Sequence, residues 1–335
     1  MQDLEPKLQI KDFSVDYLRL KKEIGKVIVG QHSVVEEVLI ALFAKGNCLF
    51  EGVPGLGKTL LVSTLSKVLD LHFNRIQFTP DLMPADITGT NILREDESGR
   101  KFFEFQPGPL FCNIVLADEI NRATPKTQSA MLEAMQERHV TTGGEIRNLP
   151  NPFVVLATQN PLEMEGTYPL PEAQLDRFML KILVDFSSRA ELNEILLRTT
   201  KPTEAEVKKV LTSEKIVKYQ QLVREIVIAP HILDYATRIV LATHPDNQMA
   251  PEIVKKYVRY GASPRGAQSL VLSGKVRALI DNRYNVAFVD VEESAFSCLR
   301  HRLILNFEGE AEGIAPEKII EEIIRNVPRE ADLPS

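Results

Sequence analysis

The sequence has few cysteines and no long apolar run. Its three cysteines, Cys48, Cys112 and Cys298, are far apart and form no C-x-x-C pair, a pattern that excludes a disulfide framework and a zinc ribbon. The longest uninterrupted apolar run covers residues 38–44, far short of the roughly 18 to 20 residues that a membrane-spanning helix needs. We therefore expect three buried cysteines and no transmembrane helix.

Histidines are also few, and neither sign of charge dominates. The six histidines are scattered and form no H-E-x-x-H motif, so a histidine-built metal site is not expected. The chain has 46 acidic and 40 basic residues, a net charge of −6, which disfavours a diffuse polyanion-binding surface but leaves a local basic stripe open. The first residues lack the basic start and apolar segment of a secretory signal, so we expect a cytoplasmic protein.

Short apolar runs alternate with helical patterns in the first half of the chain. The runs lie at 47–51, 111–117 and 153–157. They do not alternate with polar residues, which is typical of parallel strands buried on both faces. Beyond residue 187 the patterns are helical. We predict an α/β parallel-sheet domain with N-terminal helices and hairpin insertions over residues 1–186, followed by an all-α domain over residues 187–335.

Two segments of the α/β domain indicate hairpins. Residues 80–109 are rich in turn-forming residues, and residues 141–145 have the sequence Thr-Thr-Gly-Gly-Glu. A Gly-Gly pair accepts the positive φ angles that tight hairpin turns require. We predict a hairpin insertion within 80–109 and a second hairpin within 138–150.

A glycine-rich loop follows the first apolar run. Residues 52–59 match G-x-x-x-x-G-K-[ST] between a predicted strand and a predicted helix. Backbone N–H groups of such a loop turn inward around phosphate oxygens, and the helix N-terminus adds positive potential. Lys58 is expected at the β- and γ-phosphates and Thr59 at Mg²⁺. The residues expected to bind the nucleotide are Gly52, Val53, Pro54, Gly55, Leu56, Gly57, Lys58, Thr59 and Leu60.

The alternative interpretation of this loop is a glycine-rich turn with an exposed lysine. The helix dipole opposes a lysine in the first helical turn by about 0.3 to 1 kcal/mol. A bound anion removes that penalty for Lys58, which favours the phosphate interpretation.

Two carboxylates, Asp118 and Glu119, come directly after the second apolar run. The carboxyl end of a strand is where α/β sheets bind ligands. Asp118 is expected to hold Mg²⁺, which prefers a few carboxylates and retained waters, and Glu119 to polarise the attacking water. The alternative for this pair is a solvated turn at the start of a helix.

Three further polar residues are candidates for the same site. Asn160 follows the third apolar run. It is a candidate for orienting the water or contacting the γ-phosphate; the alternative is an ordinary Asn-Pro turn with Pro161. Arg177 precedes a short apolar run and forms a surface salt bridge in the simplest account. Arg265 lies in the first turn of a predicted helix that starts with a Ser-Pro pair. An arginine placed against the helix dipole favours a phosphate as counter-charge.

Five segments together resemble the motifs of the MoxR-type AAA+ ATPases. They are GVPGLGKT at 52–59, LADEINRA at 116–123, LATQNP at 156–161, LPEAQLDRF at 170–178 and GASPRG at 261–266. The resemblance covers nearly the whole chain. It implies a P-loop NTPase core of the AAA+ type and a C-terminal all-α lid domain.

The resemblance assigns roles to the motifs of the α/β domain. Residues 52–59 resemble the Walker A loop, and Asp118 with Glu119 resembles the Walker B pair. Asn160 resembles the sensor 1 residue. Arg122 stays open between an interface arginine and a helix-capping partner.

Other roles implied by the resemblance concern contacts between domains and subunits. Arg177 resembles an arginine finger that reaches the nucleotide of a neighbouring subunit, and Arg265 resembles the sensor 2 arginine of the lid. The segment that resembles the adenine-pocket lining consists of Val29, Gly30 and Gln31. Around residues 282–292 the chain departs from the family pattern, which leaves the start of the lid's last helix open.

At the level of function, the resemblance implies ATP and Mg²⁺ as cofactors and a homo-oligomeric ring, commonly a hexamer, with both hairpins facing the pore. It implies a chaperone that remodels or activates protein complexes, including metal- or cofactor-containing enzymes, with a von Willebrand A-domain protein as a partner. The alternatives are a nucleic-acid motor, disfavoured by the net charge of −6, a magnesium-chelatase-like subunit, and a scaffold without catalysis.

Overall fold

A computed structural model describes residues 4–160, 166–202 and 205–329 of the chain. The strands are β1 (Cys48–Glu51), β2 (Phe73–Gln77), β3 (Gly89–Glu95), β4 (Lys101–Pro107), β5 (Ile114–Asp118), β6 (His139–Thr142), β7 (Glu145–Asn148), β8 (Val154–Gln159), β9 (Leu180–Leu183), β10 (Val258–Tyr260) and β11 (Ile304–Leu305). The helices are α1 (Leu4–Ile24), α2 (His32–Phe43), α3 (Lys58–Val68), α4 (Pro84–Thr88), α5 (Pro125–Glu137), α6 (Glu172–Leu175), α7 (Arg189–Thr199), α8 (Ser213–Glu225), α9 (Pro230–Leu241), α10 (Glu252–Tyr257), α11 (Pro264–Ile280), α12 (Phe288–Leu299), α13 (Phe307–Ala311) and α14 (Pro316–Asn326), with a 3₁₀ turn at Ile120–Arg122.

A parallel sheet of the order β2-β5-β8-β1-β9 forms the core of the first part of the chain. Side chains alternate between its faces. On β1, Leu49 packs in the cluster that contains Met131 of α5, whereas Cys48 and Phe50 pack in the cluster that contains Leu65 of α3. Both faces of the inner strands are therefore covered, which explains their uninterrupted apolar runs. The predicted α/β parallel-sheet core is confirmed.

Edge strand β2 has no counterpart among the strands that we predicted from sequence. It is mostly polar, and Ile76 is its buried residue. Since successive side chains of a strand point to opposite faces, Arg75 and Gln77 share the face opposite Ile76. This strand pairs in parallel with β5, and its register places Gln77 opposite Asp118. Polar side chains of β2 are thereby carried to the carboxylates that end β5.

The predicted hairpins are confirmed. Strands β3 and β4 pair antiparallel within 80–109, and β6 and β7 pair antiparallel within 138–150. The turn of the second hairpin has φ angles of +62° at Gly143 and +82° at Gly144, as its Gly-Gly sequence predicts. The guanidinium of Arg147 lies 3.9 Å from the ring centroid of Phe105, so the two hairpins contact each other.

After β9 the chain forms helices α7 to α14, which confirms the predicted helical lid. Its helix α11 packs against α12 and α9, and also against α1 and α2 of the first domain. The sequence patterns indicated helices only, but β10 and β11 form a short antiparallel pair here. Strands of three and two residues are too short to produce a detectable alternation. The division of the chain at residue 187 stays a prediction.

The three cysteines are buried, as expected. The helix whose start the sequence leaves open is α12, which begins at Phe288; it is not the last lid helix, because α13 and α14 follow it. Within the described ranges, no helix combines the length and the apolar character needed to cross a membrane. Pro161, the second residue of the predicted Asn-Pro turn, lies outside the described residues.

Candidate functional site

The loop between β1 and α3 depends on glycine at defined positions. Gly55 and Gly57 have φ angles of +85° and +77°, which L-residues with a Cβ adopt only at a cost. Gly52 is required for a different reason, because a Cβ there would lie 2.7 Å from the carbonyl oxygen of Val184. These constraints shape a loop that leads directly into the N-terminus of α3, where unpaired N–H groups favour an anion.

Lys58, the first residue of α3, points its ammonium group back into this loop. Its Nζ donates to the carbonyl oxygen of Gly52 at 2.6 Å. The side chain is half-buried, and burial lowers its pKa, while Asp118 and Glu119 oppose that shift. A cation held by a carbonyl in a partly desolvated position gains a stronger partner when an anion enters.

Thr158, on β8, fixes the two carboxylates at the end of β5. Its buried hydroxyl donates to Asp118 Oδ1 at 2.6 Å and accepts from the backbone N–H of Glu119 at 2.8 Å. The Glu119 backbone has a φ of +56°, a conformation that costs a non-glycine residue about 1 to 3 kcal/mol and persists only where surrounding contacts enforce it. The threonine bridge is such a contact.

We expect Thr158→Val to lower the free energy of unfolding by about 1 to 3 kcal/mol, because an isosteric side chain leaves both hydrogen-bonding groups of residues 118 and 119 without this partner. Urea denaturation measures the change. The matched control is Thr141→Val on β6, where the side chain is exposed; a change within about 0.5 kcal/mol is expected there. Equal effects of the two substitutions would contradict the structural role of Thr158.

Arg75 and Gln77 of β2 complete the contacts of the carboxylate pair. Arg75 donates to Asp118 Oδ2 from Nε at 3.0 Å and from Nη2 at 2.6 Å. Gln77 donates to Glu119 Oε2 at 3.0 Å, and Arg122 donates to the same oxygen at 2.9 Å. The guanidinium groups of Arg75 and Arg122 thus neutralise one carboxylate each. The sequence leaves Arg122 open between an interface arginine and a helix-capping partner. In the structure it contacts Glu119 of its own chain, and both roles stay predictions.

Sequence reasoning missed Arg75, Gln77 and Thr158. Thr158 stands inside the segment LATQNP, two residues before Asn160. Nothing in the sequence distinguishes this threonine from an ordinary strand residue. Arg75 and Gln77 could have been noted from their two-residue spacing, which places both side chains on one face of a strand. That signal required β2 to be recognised first.

These residues surround a cavity of about 420 Å³ at the carboxyl ends of β5 and β8. Its lining combines loop residues with polar residues of the neighbouring strands: Gly52, Pro54, Gly55, Gly57, Lys58, Thr59, Leu60, Arg75, Asp118, Glu119, Thr158 and Asn160. The cavity therefore unites most of the predicted loop residues with Asp118, Glu119 and Asn160. The hydroxyl of Thr59 and the carboxylate of Asp118 are hard oxygen donors of the kind that Mg²⁺ prefers, so the residues present fit this ion.

The predicted adenine-pocket segment, residues 29–31, lies beside the loop. Gln31 donates from Nε2 to the carbonyl oxygen of Leu56 at 2.9 Å. Gly30 has a φ of +64°, and a Cβ there would overlap the Glu191 carboxylate at the start of α7. The Glu191 carboxylate is the flexible end of a side chain, so the reason for glycine at residue 30 is the left-handed backbone, which residues with a Cβ adopt only at a cost. Val29 and Val53 belong to the same two loops.

The two predicted arginines lie elsewhere. Arg177 lines a second cavity of about 440 Å³ next to α5, where its Nη1 is 3.5 Å from the carbonyl oxygen of Leu132. Arg265 is in the first turn of α11, and its Nη1 is 3.6 Å from Asp176 Oδ2. Among the described residues that line the 420 Å³ cavity, neither arginine occurs.

Comparison with known proteins gives matches over most of the chain. A family described as ATPase family associated with various cellular activities (AAA) matches residues 47–180, and an AAA lid domain family matches residues 250–323. The chain is 44% identical to chaperone MoxR1 of Mycobacterium tuberculosis, over 91% of this chain and 80% of that protein. It is 30% identical to the protein MoxR of Methylorubrum extorquens, over 92% and 94% of the two chains.

A solved structure from Cytophaga hutchinsonii, described provisionally as an ATPase, superposes with a TM-score of 0.91 at 42% sequence identity. The superposition covers 98% of this chain and 99% of that one. The likeness therefore extends over the first domain and the lid together.

Proposed function

The chain belongs to the MoxR family of AAA+ ATPases, and from this premise we propose that it hydrolyses ATP with Mg²⁺ in the cavity described above. One observation carries the proposal: the phosphate-type loop, Lys58 and the carboxylates of Asp118 and Glu119 all border one cavity. We propose residues 187–335 as the lid of this site and the cytoplasm as its location.

In this proposal the chain's own groups bind and orient the triphosphate. Loop N–H groups and the N-terminus of α3 hold phosphate oxygens, and Lys58 leaves the Gly52 carbonyl for the β- and γ-phosphates. Thr59 and Asp118 would hold Mg²⁺, which supplies charge neutralisation at the phosphates when bound. Arg75 contacts Oδ2 of the same Asp118 carboxylate.

The remaining groups act on water and on charge in the transition state. Glu119 accepts a proton from the attacking water or polarises it, and Asn160 orients that water or the γ-phosphate. Arg177 supplies positive charge to the nucleotide of a neighbouring subunit in a ring, which we propose to be a hexamer. The location of Arg177 in a second cavity supports an action outside its own site.

We expect Lys58→Ala to weaken binding of Mg²⁺–ATP by roughly 10- to 150-fold, because a hydrogen bond to a charged group contributes about 1.5 to 3 kcal/mol. Calorimetric titration with ATP measures the affinity. The matched control is Lys67→Ala, since Lys67 is exposed on the same helix; its affinity should stay within about 2-fold of the wild type. Failure of the wild type to bind Mg²⁺–ATP at millimolar concentrations contradicts the proposed function.

We further propose that hydrolysis drives remodelling of client proteins, including complexes into which a metal or cofactor is inserted, with a von Willebrand A-domain protein as a partner. Exposed apolar side chains on the two hairpins support contact with proteins. Phe103 and Leu93 form a cross-strand pair with Phe103 75% exposed, and Ile146 is 68% exposed on the second hairpin. Apolar groups clustered on exposed loops mark interaction surfaces.

Of the three other sequence hypotheses, the nucleic-acid motor and the magnesium-chelatase-like subunit are not favoured. The relatives described above include a chaperone of the same family over nearly the full chain. ATP turnover stimulated by single-stranded DNA would restore the nucleic-acid hypothesis.

A further inference from the structure

Asp176, the residue before Arg177, joins the first domain to the lid through a buried arginine. The side chain of Arg302 is 2% exposed. Its Nε donates to Asp176 Oδ1 at 2.8 Å, and its Nη2 donates to the carbonyl oxygens of Asp176 and Phe178 at 3.0 and 2.7 Å. Its Nη1 donates to the carbonyl oxygens of Met179 at 3.2 Å and of Cys298.

These contacts fix the position of Asp176 relative to Arg302 of the lid. A guanidinium has five N–H donors, and the contacts of Arg302 engage all of them. Breaking a buried ion pair from one side leaves an uncompensated buried charge and is strongly unfavourable. Arg302 therefore does not exchange partners during a functional cycle, and it holds Asp176 in place.

The same carboxylate faces the start of α11. Ser263, the N-cap of that helix, donates from Oγ to both Asp176 oxygens at 2.8 Å and accepts from the backbone N–H of Arg265 at 3.1 Å. Asp176 Oδ2 also forms the 3.6 Å ion pair with Arg265 Nη1. A carboxylate is favourable at a helix N-terminus, whereas the cation of Arg265 is unfavourable there. Asp176 thus compensates for the position of Arg265.

Arg302 and Arg265 both contact Asp176, but they are held with different strength. Arg265 is 42% exposed and its ion pair is long, so the pair contributes only about 0.2 to 1 kcal/mol. A terminal phosphate carries more charge than the carboxylate and accepts bidentate bonds from a guanidinium. Arg265 is therefore the more weakly held of the two arginines, and a phosphate is a stronger partner for it than the carboxylate.

From this geometry we propose that Asp176 is a positioning residue that holds Arg265 on the lid junction while the site is without nucleotide and competes with the γ-phosphate for it. This inference rests on the proposed function. We call Asp176 in this role a latch, because it holds Arg265, the residue that resembles sensor 2. Asp176 directly precedes Arg177, the arginine that we propose to act in the neighbouring subunit. The latch weakens binding of nucleotides that have a γ-phosphate and leaves ADP binding unaffected.

The test is a double-mutant cycle on the full-length chain, with ATPγS and ADP titrated by calorimetry in the presence of Mg²⁺. We expect Asp176→Asn to tighten ATPγS binding by about 1.4- to 5-fold, the equivalent of the exposed ion pair, and to leave ADP binding unchanged. In the Arg265→Gln background the same substitution should leave the ATPγS-to-ADP preference unchanged. A shift of equal size in both backgrounds, or none in either, overturns the proposal.

Controls separate this result from a structural effect. Ser263→Ala removes the hydroxyl contact with Asp176 but keeps the charge, so the ATPγS-to-ADP preference should stay at the wild-type value. If Asp176→Asn does not fold, Asp176→Glu keeps a negative charge for Arg302 and moves it by one methylene. Asp176→Glu should then change the ATPγS-to-ADP preference in the wild-type chain but not in the Arg265→Gln chain. The same change in both chains overturns the proposal.

The outcomes also separate the two proposals. A wild type that binds neither ATPγS nor ADP contradicts the proposed function and the latch together. Binding that requires Lys58 but shows no dependence of the preference on Asp176 contradicts the latch alone.

Discussion

Replacement of Glu119 by glutamine is expected to lower ATP turnover by about 10²- to 10⁴-fold, the usual contribution of a general base. The amide keeps an oxygen that can accept from Gln77 and Arg122, the two donors to Glu119 Oε2. It loses the negative charge and the capacity to take a proton from water. We therefore expect ATP affinity to stay within about 3-fold of the wild type while phosphate release almost stops.

Single-turnover and steady-state phosphate release measure this loss, and calorimetry measures the affinity. The matched control is Glu310→Gln on the lid, where the side chain is exposed; turnover should be unchanged. Turnover of Glu119→Gln close to the wild-type value would exclude Glu119 as the base, and a parallel loss of ATP affinity would indicate a role in binding instead.

The same variant tests the client hypothesis. A subunit that binds ATP and hydrolyses it slowly should retain proteins that the wild type releases after each cycle. We expect proteins from cell extract to remain bound to Glu119→Gln in the presence of ATP, and to dissociate when ADP replaces ATP. The Lys58→Ala variant is the control, because at an ATP concentration well below its raised dissociation constant it stays largely without nucleotide. Identical retention by both variants would contradict ATP-driven remodelling.

The local part of the site could be predicted from sequence because its determinants lie close together along the chain. A strand, a loop with glycines at fixed positions and a helix that starts with Lys58 are specified within residues 48–68. The carboxylates at 118 and 119 follow an apolar run that indicates a buried strand. Parallel pairing of such strands then brings their carboxyl ends to one edge of the sheet.

Contacts between segments distant in sequence could not be predicted. Arg75 reaches Asp118 only because β2 pairs with β5 in a register that no local pattern specifies. Arg302 reaches Asp176 across 126 positions, and its burial depends on the packing of α12 against β9. Arginines are mostly exposed in folded proteins, so sequence patterns gave no reason to place Arg302 in the junction.

The position of Arg177 leads to the second large expected effect. Its guanidinium lies beside α5, in a cavity separate from the one that Lys58 lines. If it completes the site of a neighbouring subunit, Arg177→Ala should lower turnover by about 10³- to 10⁵-fold, the contribution of an arginine finger in comparable NTPases. ATP binding should remain, because the substituted chain keeps its own loop and carboxylates. Arg325→Ala, an exposed arginine on α14, is the matched control and should hydrolyse ATP normally.

Mixed rings distinguish action on a neighbour from action within one chain. Lys58→Ala subunits bind ATP weakly but keep Arg177, whereas Arg177→Ala subunits keep the complete binding loop. Each variant alone should be nearly inactive. In an equimolar mixture with random neighbours, about a quarter of all sites combine a competent loop with a competent arginine from the adjacent subunit, so about a quarter of wild-type turnover should appear. No gain over the separate variants would show that Arg177 acts on its own nucleotide or on none, because a heterologous ring interface necessarily creates the complementing pairs.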